Sequence, residues 1–88
     1  MQFLVICRPA AGGDPEEFKR LVPGETAALR DLKANGTLTA AWSPGRPGAI
    51  LVLEAADEAE AARHTAAFPL VEAGQITTEI IPLHPIDL

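Results

Sequence analysis

Residues 37–55 read TLTAAWSPGRPGAILVLEA, and this stretch decides the fold. Thr37 to Ser43 alternates, with Leu38, Ala40 and Trp42 on one side and Thr37, Thr39, Ala41 and Ser43 on the other, which predicts a half-polar strand. Ala49 to Ala55 is apolar on both sides, as a strand in the middle of a sheet must be. The intervening Ser43-Pro-Gly-Arg-Pro-Gly48 is dense in turn residues. Two strands joined by a turn rather than a helix predict an antiparallel hairpin, with Arg46 at or near its tip.

Upstream, Gln2 to Cys7 is a second run apolar on both faces, bounded by Arg8-Pro9, and reads as another central strand with Phe3, Val5 and Cys7 on one side. Ala10 to Gly13 reads as a flexible connection. Its Gly-Gly pair lacks the spacing of a phosphate-binding loop. Asp14-Pro15-Glu16-Glu17 then has the form of a helix start, with an N-cap, a proline at the first helical position and acids at the positive end of the dipole. The helix runs to about Ala34, with a kink expected at Val22-Pro23-Gly24, and Asn35-Gly36 supplies its end.

Downstream, Asp57-Glu58-Ala59-Glu60 has the form of a capping box opening a second helix. Ala61, Thr65 and Phe68 make its inward stripe, with His64 at the edge, and Pro69 is expected to end it. Ile76 to Leu83 alternates again, with Thr77, Glu79, Ile81 and Leu83 on one face.

The order strand, helix, strand, strand, helix, strand predicts an α+β chain: a ferredoxin-like βαββαβ unit with a four-stranded antiparallel sheet, spanning residues 1–88 as a single domain. Right-handed crossovers put the strands containing Phe3–Cys7 and Ala49–Glu54 side by side at the centre, with both helices on one face. The other face has no helix of its own although the central strands are apolar on both sides. A second copy packed sheet to sheet satisfies it, forming a dimeric α/β barrel with room for a small-molecule ligand.

Composition narrows the classes further. A chain of 88 residues buries only about 60–65% of its unfolded surface, so association is the expected source of extra burial. One cysteine allows no internal disulfide, and two histidines make no structural metal site. Seven basic and twelve acidic side chains give a net charge of −5 with no basic run, which disfavours nucleic acid. The opening QFLVIC is too short to span a bilayer and lacks a basic flank before it. The expectation is a soluble cytoplasmic protein with a reduced, buried Cys7, no membrane contact, and neither metal nor cofactor.

Within the first helix, one acid is out of place. At about 100° per residue, Phe18, Leu21, Val22, Leu29 and Leu32 form a single stripe, and Glu25 lies about 20° from its centre. A buried carboxylate must be partnered, protonated or turned to a cavity that something polar enters. The alternative is that Pro23 and Gly24 break the helix and rotate Glu25 outward.

Several spaced elements resemble the muconolactone isomerase family. They are Glu25-T-A-A-L-R-D-Leu32 with Gly36 beyond it, Gly36-x-x-x-x-x-Trp42, Pro69-Leu70, and the closing Ile80-Ile-Pro-Leu-His-Pro85. The likeness spans almost the whole chain. It differs in one place: Val22-Pro23-Gly24 stands where the family has basic residues just before the glutamate. The resemblance implies ferredoxin-like subunits, barrel dimers that assemble further into oligomers such as decamers, and cofactor-free isomerisation of an unsaturated lactone in aromatic compound catabolism. It makes Glu25 the general base. Trp42 is then a candidate pocket wall, Arg46 and His84 candidates to stabilise enolate charge, and Glu79 a candidate barrel-lining or dimer-pairing group. A non-catalytic metabolite-binding or accessory barrel, with Glu25 as a structural acceptor, is the competing expectation.

Overall fold

A computed structural model describes residues 1–88. The elements in chain order are β1 (Gln2–Pro9), α1 (Pro15–Ala34), β2 (Leu38–Trp42), β3 (Ala49–Glu54), α2 (Glu58–Ala66), α3 (Pro69–Glu72) and β4 (Ile76–Leu83). The strands form one four-stranded sheet in the order β2-β3-β1-β4, with every neighbouring pair antiparallel. This is the α+β, ferredoxin-like arrangement, with the hairpin and the first strand supplying the centre. No helix is long and apolar enough to cross a membrane.

The register separates the two faces of the sheet. Phe3 pairs with Leu53 and Val5 with Leu51, and all four are essentially inaccessible. Val5, Leu51 and Leu53 join Cys7, Leu38, Phe68, Leu70 and Ile76 in the core beneath the helices, against which Phe18, Leu21, Leu29 and Leu32 of α1 pack, while Phe3 packs with Ala55 and Ala61. The alternate residues, Leu4 beside Val52 and Ile81, and Ile6 beside Ile50 and Glu79, lie on the opposite face, which no helix covers.

Four sequence expectations change here. A bulge in β2 breaks the alternation: Leu38 pairs with Leu53, but Ala40 pairs with Val52. Two residues thus step where one would, so Leu38 joins the core while Ala40 and Trp42 face the bare side. The second change is at Pro69, which does not simply stop α2. It occupies the first turn of α3, where a missing N–H costs nothing.

Third, α1 runs unbroken through Pro23. Glu25 therefore keeps its place on the inward stripe beside Leu21 and Leu29. Fourth, Ala10–Gly13 is pinned rather than loose. The Ala10 N–H donates to the Gln75 carbonyl (2.9 Å), and the Asp14 N–H donates to Gln75 Oε1 (3.1 Å). The caps themselves follow the sequence: Asp14 Oδ1 accepts from the Glu16 N–H, and Asp57 Oδ1 from the Glu60 N–H.

Candidate active site

Between the middle of α1, the first turn of α3 and the outer end of the hairpin lies a cavity of about 280 Å3. Its walls are mostly apolar: Phe18, Val22 and Leu29 from α1, Leu51 from β3, Leu70 from α3 and Ile76 from β4. Pro47, Gly48 and Ala49 bound it at the hairpin. The polar groups inside are few, namely the Glu25 carboxylate, the Thr26 hydroxyl and the Cys7 thiol. A small apolar pocket with one acid has the size for a compact organic molecule and the kind of group that can move a proton.

Glu25 is placed by two helices. The α1 stripe aims it inward, and Oε1 accepts a hydrogen bond from the Leu70 N–H at 3.0 Å. That N–H belongs to the first turn of α3, whose N-cap residue Phe68 offers no side-chain acceptor, so Glu25 supplies the missing cap from another element. The Oε2 atom has no protein donor. Burial raises the carboxyl above its ordinary value, and the Leu70 hydrogen bond opposes that rise in part. A carboxylate shifted in this direction is a stronger base than one in water.

Cys7 lines the same cavity from the floor of the sheet. Burial first, and the negative charge of Glu25 second, push its thiol up to about 11. It is therefore a neutral, weakly polar wall near neutrality rather than a nucleophile. Gly48 lets the hairpin close over this floor. It adopts φ +124°, and a Cβ there would lie 2.5 Å from the Cys7 carbonyl oxygen.

The other candidates lie apart from Glu25 within one chain. Trp42 is 56% exposed on the bare face of the sheet, turned there by the β2 bulge. Glu79 is on the same face and accepts from Arg8 at 2.9 Å. Arg46 lines a neighbouring groove of about 200 Å3 with Ile6, Arg8 and Ile50, which shares Cys7, Pro47 and Ala49 with the Glu25 cavity. His84 follows the end of β4 in an exposed tail. Sequence reasoning did not assign Thr26, Pro47 or Gly48 to the pocket. Thr26 adjoins Glu25 and was within reach of the same helical stripe, whereas the hairpin residues carry no local signal of where the turn folds.

The family model described as muconolactone delta-isomerase matches residues 1–87. Among solved structures, a muconolactone isomerase superposes with a TM-score of 0.76 at 21% identity, covering 100% of this chain and 95% of that one. The 5-chloro-2-hydroxyhydroquinone dehydrochlorinase TftG from Burkholderia phenoliruptrix AC1100, in complex with 2,5-dihydroxybenzoquinone, gives a TM-score of 0.74 at 21% identity over 96% of this chain and 94% of that one. At that identity the two structures speak to the fold. No curated protein matches the chain.

Proposed function

This chain belongs to the muconolactone delta-isomerase family, and from that premise we propose that it is a cofactor-independent isomerase acting on a small unsaturated lactone or a related carbonyl compound. The observation that carries the reading is the Glu25 carboxylate, raised by burial, with one oxygen unpaired in an apolar cavity of about 280 Å3. The carboxylate takes a proton from the allylic carbon in conjugation with the carbonyl, and the electron pair delocalises onto oxygen as a dienolate. Returned at the far end of the conjugated system, the same proton moves the double bond and leaves the atoms balanced.

Glu25→Gln is the decisive variant, because a glutamine oxygen still accepts from the Leu70 N–H while the base is gone. Turnover of an unsaturated lactone, followed by ultraviolet absorbance, is expected to fall by about 10²–10⁴-fold. Undiminished turnover would remove Glu25 from the chemistry.

A second reading has its own observation. Glu25 already caps α3, so it has a structural reason to be where it is even in a protein that only binds a metabolite. Its signature is a wild-type protein that binds such lactones without converting any of them.

The working unit in this proposal is a homodimer in which a second copy covers the bare face of the sheet, with further assembly into a larger ring or shell. Trp42 and Glu79 then sit at the seam between copies. Arg46 stands in the groove that adjoins the Glu25 cavity, and His84 in the exposed tail.

A further inference from the structure

The Leu70 backbone N–H is a donor that its own short helix cannot use. It lies in the first turn of α3, and the N-cap residue Phe68 gives that turn no side-chain acceptor. Its partner is Glu25 Oε1, at 3.0 Å and 45 residues away in the chain. Leu70 is also fixed from two other sides: its carbonyl accepts from the Gln75 N–H at 2.9 Å, and its side chain is 3% exposed in the core. Pro69 rests against α1 at Gly24, the residue before Glu25, where a Cβ would lie 3.7 Å from Pro69 Cγ. The core therefore holds the donor in place independently of the carboxylate that meets it.

This makes the two carboxylate oxygens inequivalent. Oε1 is engaged, and Oε2 has no protein donor. An N–H bonds a charged carboxylate about twice as strongly as a neutral acceptor. In the neutral acid the carbonyl-type oxygen is the better acceptor, so the bond lasts through protonation when the proton sits on Oε2.

Few charges compete for the group. Its neighbours one turn away on α1, namely Leu21, Val22, Ala28 and Leu29, carry none. Cys7 faces the cavity from β1 as a neutral thiol, and β4 contributes Ile76. The hairpin's Arg46 stands in the adjoining groove, and the charged residue of α3 is Glu72, at its last position.

We infer that the Leu70 N–H is the positioning group for the base: it holds Oε1 and assigns proton transfer to Oε2, an assignment that rests on Glu25 being the base of the proposed reaction. The C–H bond of the ligand breaks as the Oε2–H bond forms, the electron pair passes to the dienolate, and the return step reverses both. Oε1 stays on Leu70 throughout.

The direct test replaces Leu70 in the full chain by its α-hydroxy acid, which exchanges the N–H for an oxygen and keeps the side chain. The resulting ester also weakens the Pro69 carbonyl, which accepts from the Ala73 N–H at 3.0 Å. Replacing Ala73 by lactic acid removes that second bond and leaves the Leu70 N–H, so it is the control. The carbon-13 carboxyl resonance of Glu25, assigned by its absence in Glu25→Gln, gives the titration midpoint with no ligand present.

In the position-70 ester that midpoint is expected to rise by about one pH unit, because a bond that favours the charged form is gone. The limb of lactone turnover that climbs as Glu25 ionises should move up with it. The kcat should fall about tenfold to hundredfold with KM little changed, as for a base displaced by a fraction of its working distance. The position-73 ester should match the wild type in both. In the wild type, the Leu70 amide proton should move downfield as Glu25 ionises, a reading that needs no variant chain.

A Leu70 amide that stays flat across the Glu25 titration overturns the inference. So does a position-70 ester with unchanged midpoint and kcat, or a position-73 ester that moves them as far. The base itself is judged separately: undiminished turnover of Glu25→Gln removes Glu25, and the assignment of Oε2 with it, while the titrations in the ligand-free protein report on the bond alone.

Discussion

On β3, Leu51 and Leu53 are 1% and 0% exposed, whereas their neighbours Ile50 and Val52 are only partly buried. The same contrast runs through β1, where Phe3 and Val5 are sealed and Leu4 and Ile6 are not. The two faces have similar side chains at their centres, so hydrophobicity does not distinguish them. What distinguishes them is coverage. One face meets α1, α2 and α3 and encloses the Glu25 cavity, while the other carries more apolar surface than this chain can cover. Stability of the single chain is therefore concentrated on one side of the sheet, and the other is the face on which the proposed dimer would form.

The sharpest way to test this contrast is a pair of substitutions one residue apart. Leu51→Ala, in the core, is expected to cost about 2–5 kcal/mol in chemical denaturation. Ile50→Lys, on the bare face, should leave the chain folded but convert the proposed dimer to monomer in sedimentation velocity. If Ile50→Lys leaves the mass unchanged, or if the wild type is already a monomer, then the bare face is not the contact between copies.

Gly48 tests how the hairpin bounds the cavity. Its φ of +124°, and the 2.5 Å that would separate an added Cβ from the Cys7 carbonyl oxygen, leave no room for a side chain. Gly48→Ala is expected to lose about 1–3 kcal/mol of stability, as for a residue forced into a sparsely allowed conformation against backbone. Gly45→Ala, also at positive φ but with open space around it, should cost less. Equal costs at the two glycines would mean that backbone conformation alone, and not the approach to β1, sets the penalty.

How far the sequence showed these regions depends on whether the controlling signal is local. The order of elements was legible because the hairpin residues 37–55 contain their own turn, and both helices announce their caps at Asp14 and Asp57. The position of Glu25 was legible because helical periodicity places it, and Pro23 did not break that periodicity. The face of Trp42 was not legible. In TLTAAW nothing marks the extra residue between Leu38 and Ala40, and one bulge moves Trp42 to the opposite side. Pro69 misled because proline both ends one helix and suits the first turn of the next. Gln75 and the Leu70 N–H act across long separations, 61 residues to Asp14 and 45 to Glu25, where no local pattern reaches.

The pH dependence of stability examines the covered face more finely. Glu25 has a carboxyl raised above its ordinary value of 4.5, so the folded state holds this proton more strongly than the unfolded state. The associated stabilisation is fully present below about pH 4.5 and is lost as pH rises through the folded-state value. Glu25→Gln removes that loss. Measured by denaturation, the variant should gain on the wild type as pH climbs from 4.5 toward neutrality, and a parallel pair of profiles would mean that burial does not penalise the charge.

The smallest expected effect couples the two titratable groups in the cavity. The Cys7 thiol stands at about 11 against an ordinary 9.0, chiefly through burial and secondarily through the charge of Glu25. Because the folded state holds the thiol proton more strongly, that stabilisation is intact below about pH 9.0 and is lost as pH rises through about 11. The pH dependence of iodoacetamide alkylation reads the thiol directly. In Glu25→Gln the midpoint should move down, because a negative neighbour is gone, but stay above 9.0, because burial remains the larger cause. A midpoint falling all the way to 9.0 would show that the charge, and not the sealed floor of the sheet, holds the thiol neutral. An unmoved midpoint would separate the two groups and make the cavity wet enough to screen one from the other.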